Sequence, residues 1–155
     1  MTMSLACDVV VHNATKNRAF SARFFVDVVG AALVGSGVKF ASPVEVGIKI
    51  VGASGMRTLN RTHRKIDRPT DVLSFPLHTK AIAGYTSLAL GDLILCPEVV
   101  AKKAKETGHT VRYQMMWSVV HGVLHLLGHD HERSAKEART MVELEELILH
   151  TLTNG

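Results

Sequence analysis

Apolar and polar positions along the chain follow two periods. Val44, Val46, Ile48 and Ile50 alternate with Glu45, Gly47 and Lys49, the period of two of a strand with one buried face. Val9 to Val11, Val72 to Phe75 and Leu90 to Leu95 are further apolar runs of strand length. Elsewhere the period is helical. Phe20, Phe24, Val28 and Ala32 recur four apart and predict a helix over 16–34. A short helix over 53–63 carries Met56, Leu59 and Asn60. Pro97 and Glu98 open a third helix, and Lys102, Lys103 and Lys105 fill its last turns before Gly108 ends it. Acid first and base last suits the helix dipole. Residues 110–127 form a helix apolar enough to be central, with Met116, Val119, Val120, Val123, Leu124 and Leu127. Ser134 and Glu137 make a capping box for a final helix whose apolar face is Met141, Leu144, Ile148 and Leu152. His78 to Ser87 reads as a loop.

The resulting order is β-α-β-α-β-β-α-α-α. Strands early and helices late predict an α+β fold, a single mixed sheet of about four strands packed with helices. No repeat, low-complexity tract or linker divides the 155 residues, so one domain is expected. Apolar residues make up 46% and charged residues 21%, which is ordinary for a globular protein. Eighteen Lys and Arg against fourteen acids give a net charge of +4, which suits a polyanionic partner without singling one out. Cys7 and Cys96 form no C-x-x-C pair and read as free thiols in a reducing compartment. Asp8 interrupts the apolar start, so no signal peptide is expected. The apolar stretch Val28 to Gly35 is too short for a membrane span. A cytoplasmic protein with no membrane association follows. Arg18 and Arg23 would also suit an organellar leader, against which Asp27 and the preceding strand argue.

The chemistry concentrates in His121-Gly122-Val123-Leu124-His125-Leu126-Leu127-Gly128-His129-Asp130-His131. His121 and His125 are four apart, so a helix presents them from one face. Gly128 can take the left-handed conformation that stops the helix and lets His131 close on the pair. Three imidazoles on one point make an open zinc site, one ion per chain, with the fourth position left for water or substrate. The spacing matches the zinc protease pattern H-E-x-x-H-x-x-G-x-x-H, except that Gly122 stands where the protease has its general base. The metal cage is kept and the peptidase base is missing.

The same string resembles the signature H-G-x-L-H-L-x-G-[Y/H]-D-H of the YbeY proteins, metal-dependent endoribonucleases linked to ribosomal RNA maturation. A second block, Leu59 to Pro76, reads LNRTHRKIDRPTDVLSFP and is similar to that family's L-N-x-x-[YH]-R-x-x-D-x-P-T-D-V-L-S-F-P. A third, Leu90-Gly91-Asp92-Leu93-Ile94-Leu95, is similar to its L-G-D-[IL]-x-[IL]. The resemblance covers residues 59–131 in family order. It implies an α+β fold and a single-strand-specific endoribonuclease. The implied task is maturation of the 3′ end of small-subunit ribosomal RNA, together with ribosome quality control. Implied partners are single-stranded RNA and the ribosomal subunit or its proteins.

For such chemistry zinc either supplies hydroxide or holds a phosphoryl oxygen while a 2′-OH attacks. The sequence leaves both open. A developing oxyanion also needs positive charge, and Arg64 is the candidate. Arginine's planar donors suit phosphate, and the resemblance implies that Arg64 faces the cleft. Arg61, Lys65 and Arg68 read as solvated neighbours. Asp130 could orient a histidine ligand, whereas Asp71 and Asp92 read first as turn builders. His129 reads as a surface residue, and Trp117 and Tyr113 as core packing rather than base stacking. No general base stands out. Two rival functions remain. A zinc hydrolase of another bond would need a glutamate near the metal. A ribosome assembly factor with a structural metal would need a fourth protein ligand, for which His129 or Asp130 could serve.

Overall fold

The computed structural model describes residues 7–40, 43–77 and 88–155. Four strands, β1 (Cys7–Asn13), β2 (Val44–Ile50), β3 (Val72–Pro76) and β4 (Leu88–Leu95), form one sheet in the order β1-β2-β4-β3. β1, β2 and β4 run parallel, and β3 pairs antiparallel with β4. Five helices complete the fold: α1 (Ala22–Gly35), α2 (Ala53–Arg64), α3 (Pro97–Thr107), α4 (Val111–Leu126) and α5 (Ala135–Asn154). The expected order and the mixed α+β sheet are both found. The expected loop from His78 to Ser87 lies outside the described residues.

The strand period separates two cores. Val44, Val46, Ile48 and Ile50 face α1, α4 and α5, with Leu93 and Leu95 of β4 beside them. The opposite face of β3 and β4 carries Leu73 and Ile94, which pack with Cys96 against Met56 of α2. A bulge in β4 allows this division. Glu45 pairs with Ala89 but Val46 pairs with Gly91, so Leu90 is the extra residue and stays in the large core with Leu93. Gly91 takes φ 138°, and a Cβ there would run into the Phe75 carbonyl oxygen on β3.

One helix differs from its sequence reading. α1 begins at Ala22 rather than near residue 16, because polar residues before it bond locally. The Asn13 carboxamide oxygen accepts from the Thr15 N–H at 2.8 Å, and Asn17 does the same for Ala19 at 2.9 Å. Such side chains offer the backbone an alternative to the helix. Ser21 then caps α1 by accepting from Phe24 N–H. Phe20 stays outside the helix but packs on Phe24, ring centroids 4.7 Å apart.

Helix α4 is the central element, touching α1, α3, α5 and strands β3 and β4. Its tight approach to the sheet depends on Gly122, where a Cβ would lie 2.8 Å from Leu93 Cδ2 and 3.2 Å from Val72 Cγ2. Position 122 therefore faces the sheet, not the histidines. The residue in this place is a packing requirement as well as a missing peptidase base.

Two glycines should respond oppositely to alanine. Gly91→Ala combines a left-handed φ with a backbone collision and should lower the unfolding free energy by roughly 2–4 kcal/mol. Gly30→Ala, in α1 with open space at its Cβ, should raise it by about 0.5–1 kcal/mol. Denaturant titrations of the two variants measure both.

Candidate metal centre

His121 and His125 lie one turn apart on α4, and their Nε2 atoms face each other at 3.2 Å. The helix ends in a Schellman turn. Gly128 N–H bonds to the His125 carbonyl and His129 N–H to the Leu124 carbonyl, each at 3.0 Å, with Gly128 at φ 96°. The reversal swings His131 back, so its ring centroid lies 5.4 Å from that of His121 and 5.2 Å from that of His125. One nitrogen from each ring falls within 4.8 Å of the other two. The three histidines are thus positioned to bind one metal ion.

A carboxylate that the sequence reading did not single out stands behind this site. Glu145 of α5 is 6% exposed and lies with Oε1 2.6 Å from His121 Nδ1. His121 presents Nε2 to the site, so Nδ1–H donates to the carboxylate. That bond fixes the tautomer and orientation of the ligand. The signal was present in the sequence. Glu145 interrupts the apolar stripe Met141, Leu144, Ile148, and a charge on a core stripe needs a buried partner. Asp130 does not perform this task. It caps its own turn by accepting from Glu132 N–H at 2.9 Å and lies 3.7 Å from Arg133.

Burial, with the neighbouring His121, His131 and Arg64 adding, pushes His125 down to about 4, against the smaller opposing pull of Asp130. His125 is therefore neutral and able to ligate throughout the neutral pH range. His129 is half-buried rather than on the surface, and burial lowers it too, but it is not one of the converging histidines.

The histidines open into a cleft of about 240 Å³ shared with Arg64, Asp71, Lys103 and Trp117. Arg64 is the last residue of α2. Lys65 follows at φ 61° and closes the helix through its N–H to the Arg61 carbonyl. Asn60, 3% exposed, donates to the Arg68 carbonyl at 2.8 Å and secures the loop that follows. Arg64 is half exposed, and its nearest acid is Glu132 at 3.7 Å. Arg61 pairs loosely with Asp67, and Arg61, Lys65 and Arg68 are exposed as expected. Asp71 is more than a turn builder. It is buried, and its Oδ2 accepts from Ser118 of α4 at 2.8 Å. Asp92 is exposed and lies against Gly47 on the opposite side of the sheet. Trp117 packs on the large core but also walls the cleft, stacked on His121 with centroids 4.6 Å apart and planes 17° apart.

An α+β protein with an open three-histidine centre and an arginine beside it is the class these features define. The family model described as Endoribonuclease YbeY matches residues 10–153. The chain is 39% identical over 112 residues to the Endoribonuclease YbeY of Aquifex aeolicus, spanning 72% of this chain and 73% of that protein. It is 43% identical over 116 residues to that of Roseiflexus sp., spanning 72% of each. The solution structure of TM1509 from Thermotoga maritima superposes with a TM-score of 0.59 at 26% identity, covering 92% of this chain and 87% of that one. The chain belongs to the Endoribonuclease YbeY family. Among the described residues, no helix is long and apolar enough to cross a membrane.

Two outcomes follow from this geometry. Glu145→Gln should weaken metal binding about 10–100-fold while the fold persists, as competition with a chelator would measure. Metal-free protein should lose stability in acid. His125 titrates near 6.5 when unfolded and about 4 when folded. Between these values the unfolded chain binds more protons. Melting temperature should therefore fall as pH drops from about 6.5 toward 4, with His129 acting in the same direction. No such slope should appear above pH 7.

Proposed function

We propose that the chain is a zinc-dependent, single-strand-specific endoribonuclease acting in ribosomal RNA processing, with 1–155 as one catalytic domain. One observation carries the reading. Three histidines with a buried carboxylate behind them share one open cleft with a guanidinium. A donor set of three imidazoles with no sulfur suits zinc in a site that keeps a free position. His121, His125 and His131 would hold the ion, one per chain. Zinc there supplies Lewis acidity toward a phosphoryl oxygen and favours hydroxide over water near neutral pH.

The residues of the chain do the rest. His121 is held in one tautomer by Glu145 and kept in plane by Trp117. Arg64 lines the cleft beside the histidines, where a phosphodiester would lie, and its guanidinium would stabilise the charge that develops on the phosphate oxygens. The open cleft suits an unpaired strand, whose backbone can bend to reach the metal. Ribosomal RNA as substrate, ribosomal partners and a cytoplasmic setting extend the family resemblance, and the free thiols Cys7 and Cys96 agree with a reducing compartment.

The structural-metal alternative needs a fourth protein ligand. Among the described residues the converging group holds three histidines, while Asp130 is engaged in its own turn. The amide-hydrolase alternative needs a glutamate on the open side of the metal; the position that would carry it is Gly122, packed against the sheet, while Glu145 stands behind His121 on its Nδ1.

Arg64→Ala should keep metal content and melting temperature near wild type and slow cleavage of a single-stranded ribosomal precursor end by about 10²–10³. Arg64→Lys should recover only part, since a point charge lacks the two-pronged contact. Cleavage as fast as wild type, or slow cleavage explained by lost zinc, would overturn the role of Arg64.

A further inference from the structure

Lys103 was notable in the sequence only as one of three bases late in α3. In the fold it leaves the helix surface and enters the metal cleft. Its Nζ lies 3.2 Å from Asp71 Oδ1, with the lysine side chain 42% exposed and the aspartate side chain 5% exposed. Asp71 is fixed from behind by Ser118, through Oδ2 at 2.8 Å. The ammonium also lies over the Trp117 ring, 5.5 Å from its centroid, and Trp117 in turn stacks on His121. A flexible lysine is thus tethered at two points. It lines the same cleft as Arg64 and the histidines.

Lys103 also lines a second hollow, of about 530 Å³, between α3, α4 and α5, whose acids Glu106, Glu145 and Glu146 disfavour a polyanion and leave the metal cleft as the place for one. Trp117 is shared by both hollows, so the two residues mark the junction between them. Asp71 engages the ammonium from the buried side. An ammonium carries three donors, and with the side chain 42% exposed and lining the cleft, Asp71 leaves donors free for a ligand there.

We propose that Lys103 is a second phosphate-binding residue, which takes the phosphate next to the scissile one within the metal cleft. The proposal rests on the nuclease reading above. Arg64 and Lys103 then divide the backbone between them. Arg64 meets the reacting phosphate with a planar fork, and Lys103 holds a neighbouring one as a point charge. Asp71 is a positioning residue for Lys103, because its buried carboxylate limits where the ammonium can sit. Binding of an unreacting phosphate acts alike in ground and transition states, so it sets KM rather than kcat.

The bland rival is that Lys103 only neutralises the buried Asp71. Zinc-loaded wild type, Lys103→Met, Lys103→Arg and the double variant Asp71→Asn with Lys103→Met separate the two. Each is assayed for kcat and KM on single-stranded RNA across a series of salt concentrations, with zinc content and melting temperature taken on the same samples. Lys103→Met should raise KM about tenfold with kcat within about twofold of wild type. The slope of log KM against log salt should shrink by about 0.7, the loss of one contact to a single strand. Lys103→Arg should keep the wild-type slope. The double variant removes the uncompensated carboxylate and should regain stability, yet keep the raised KM and the shallow slope. A double variant with wild-type KM, or an unchanged slope in Lys103→Met, overturns the role of Lys103 and leaves the nuclease reading standing. A zinc-loaded wild type that does not cut RNA overturns both.

Discussion

The close contact of α4 with the sheet is the constraint on which the rest of the molecule depends. This helix has to be buried on several sides and still turn two histidines toward solvent. Gly122 makes that possible, because it lets the backbone settle onto Leu93 and Val72. Val119, Val120, Val123 and Leu124 are fully buried around it. Interiors this dense deform little, so the spacing of His121 and His125 is inherited from the core rather than from the site. The third ligand needs only a short reversal at Gly128 to reach them.

Much of this was legible in the chain. The alternation at 44–50 and the helical recurrence along α1 and α5 reflect burial on one face, which sequence periodicity reports directly, whereas α4 showed itself by its apolar content. The histidine triad was legible because its spacing is local, set by one helix and one turn. What escaped was set by long-range packing. Glu145 meets His121 across 24 positions, Ser118 meets Asp71 across 47, and no local pattern links either pair. Asp71 sits among Pro, Thr and Val, where turn building is the frequent use, so its tertiary role was hidden behind an ordinary one. The late start of α1 was missed for the opposite reason. Phe20 fits the helical period, but Asn13, Thr15 and Asn17 bond locally and win over it.

The cleft assembles its charges from separate layers. Arg64 comes from α2 on one face of the sheet and the histidines from α4 on the other, while Lys103 comes from α3. The antiparallel strand β3 at the sheet edge lets them meet, since Val72 and Ser74 line the cleft floor between the two helices. Ser74 Oγ also donates to the Gly122 carbonyl at 3.2 Å, so the edge strand and the ligand helix are joined at the site itself.

The Glu145–His121 bond has a thermodynamic consequence for the end of the chain. Glu145 belongs to α5, which packs on α1 and α4 through Met141, Ile148 and Leu149. An ion at the histidines draws on the His121–Glu145 bond, so occupancy of the centre and docking of α5 are linked equilibria. Linkage is reciprocal, and whatever factor the ion adds to helix docking, helix docking adds to affinity for the ion. The C-terminal helix is in this sense part of the metal-binding apparatus, although it supplies none of the three converging nitrogens.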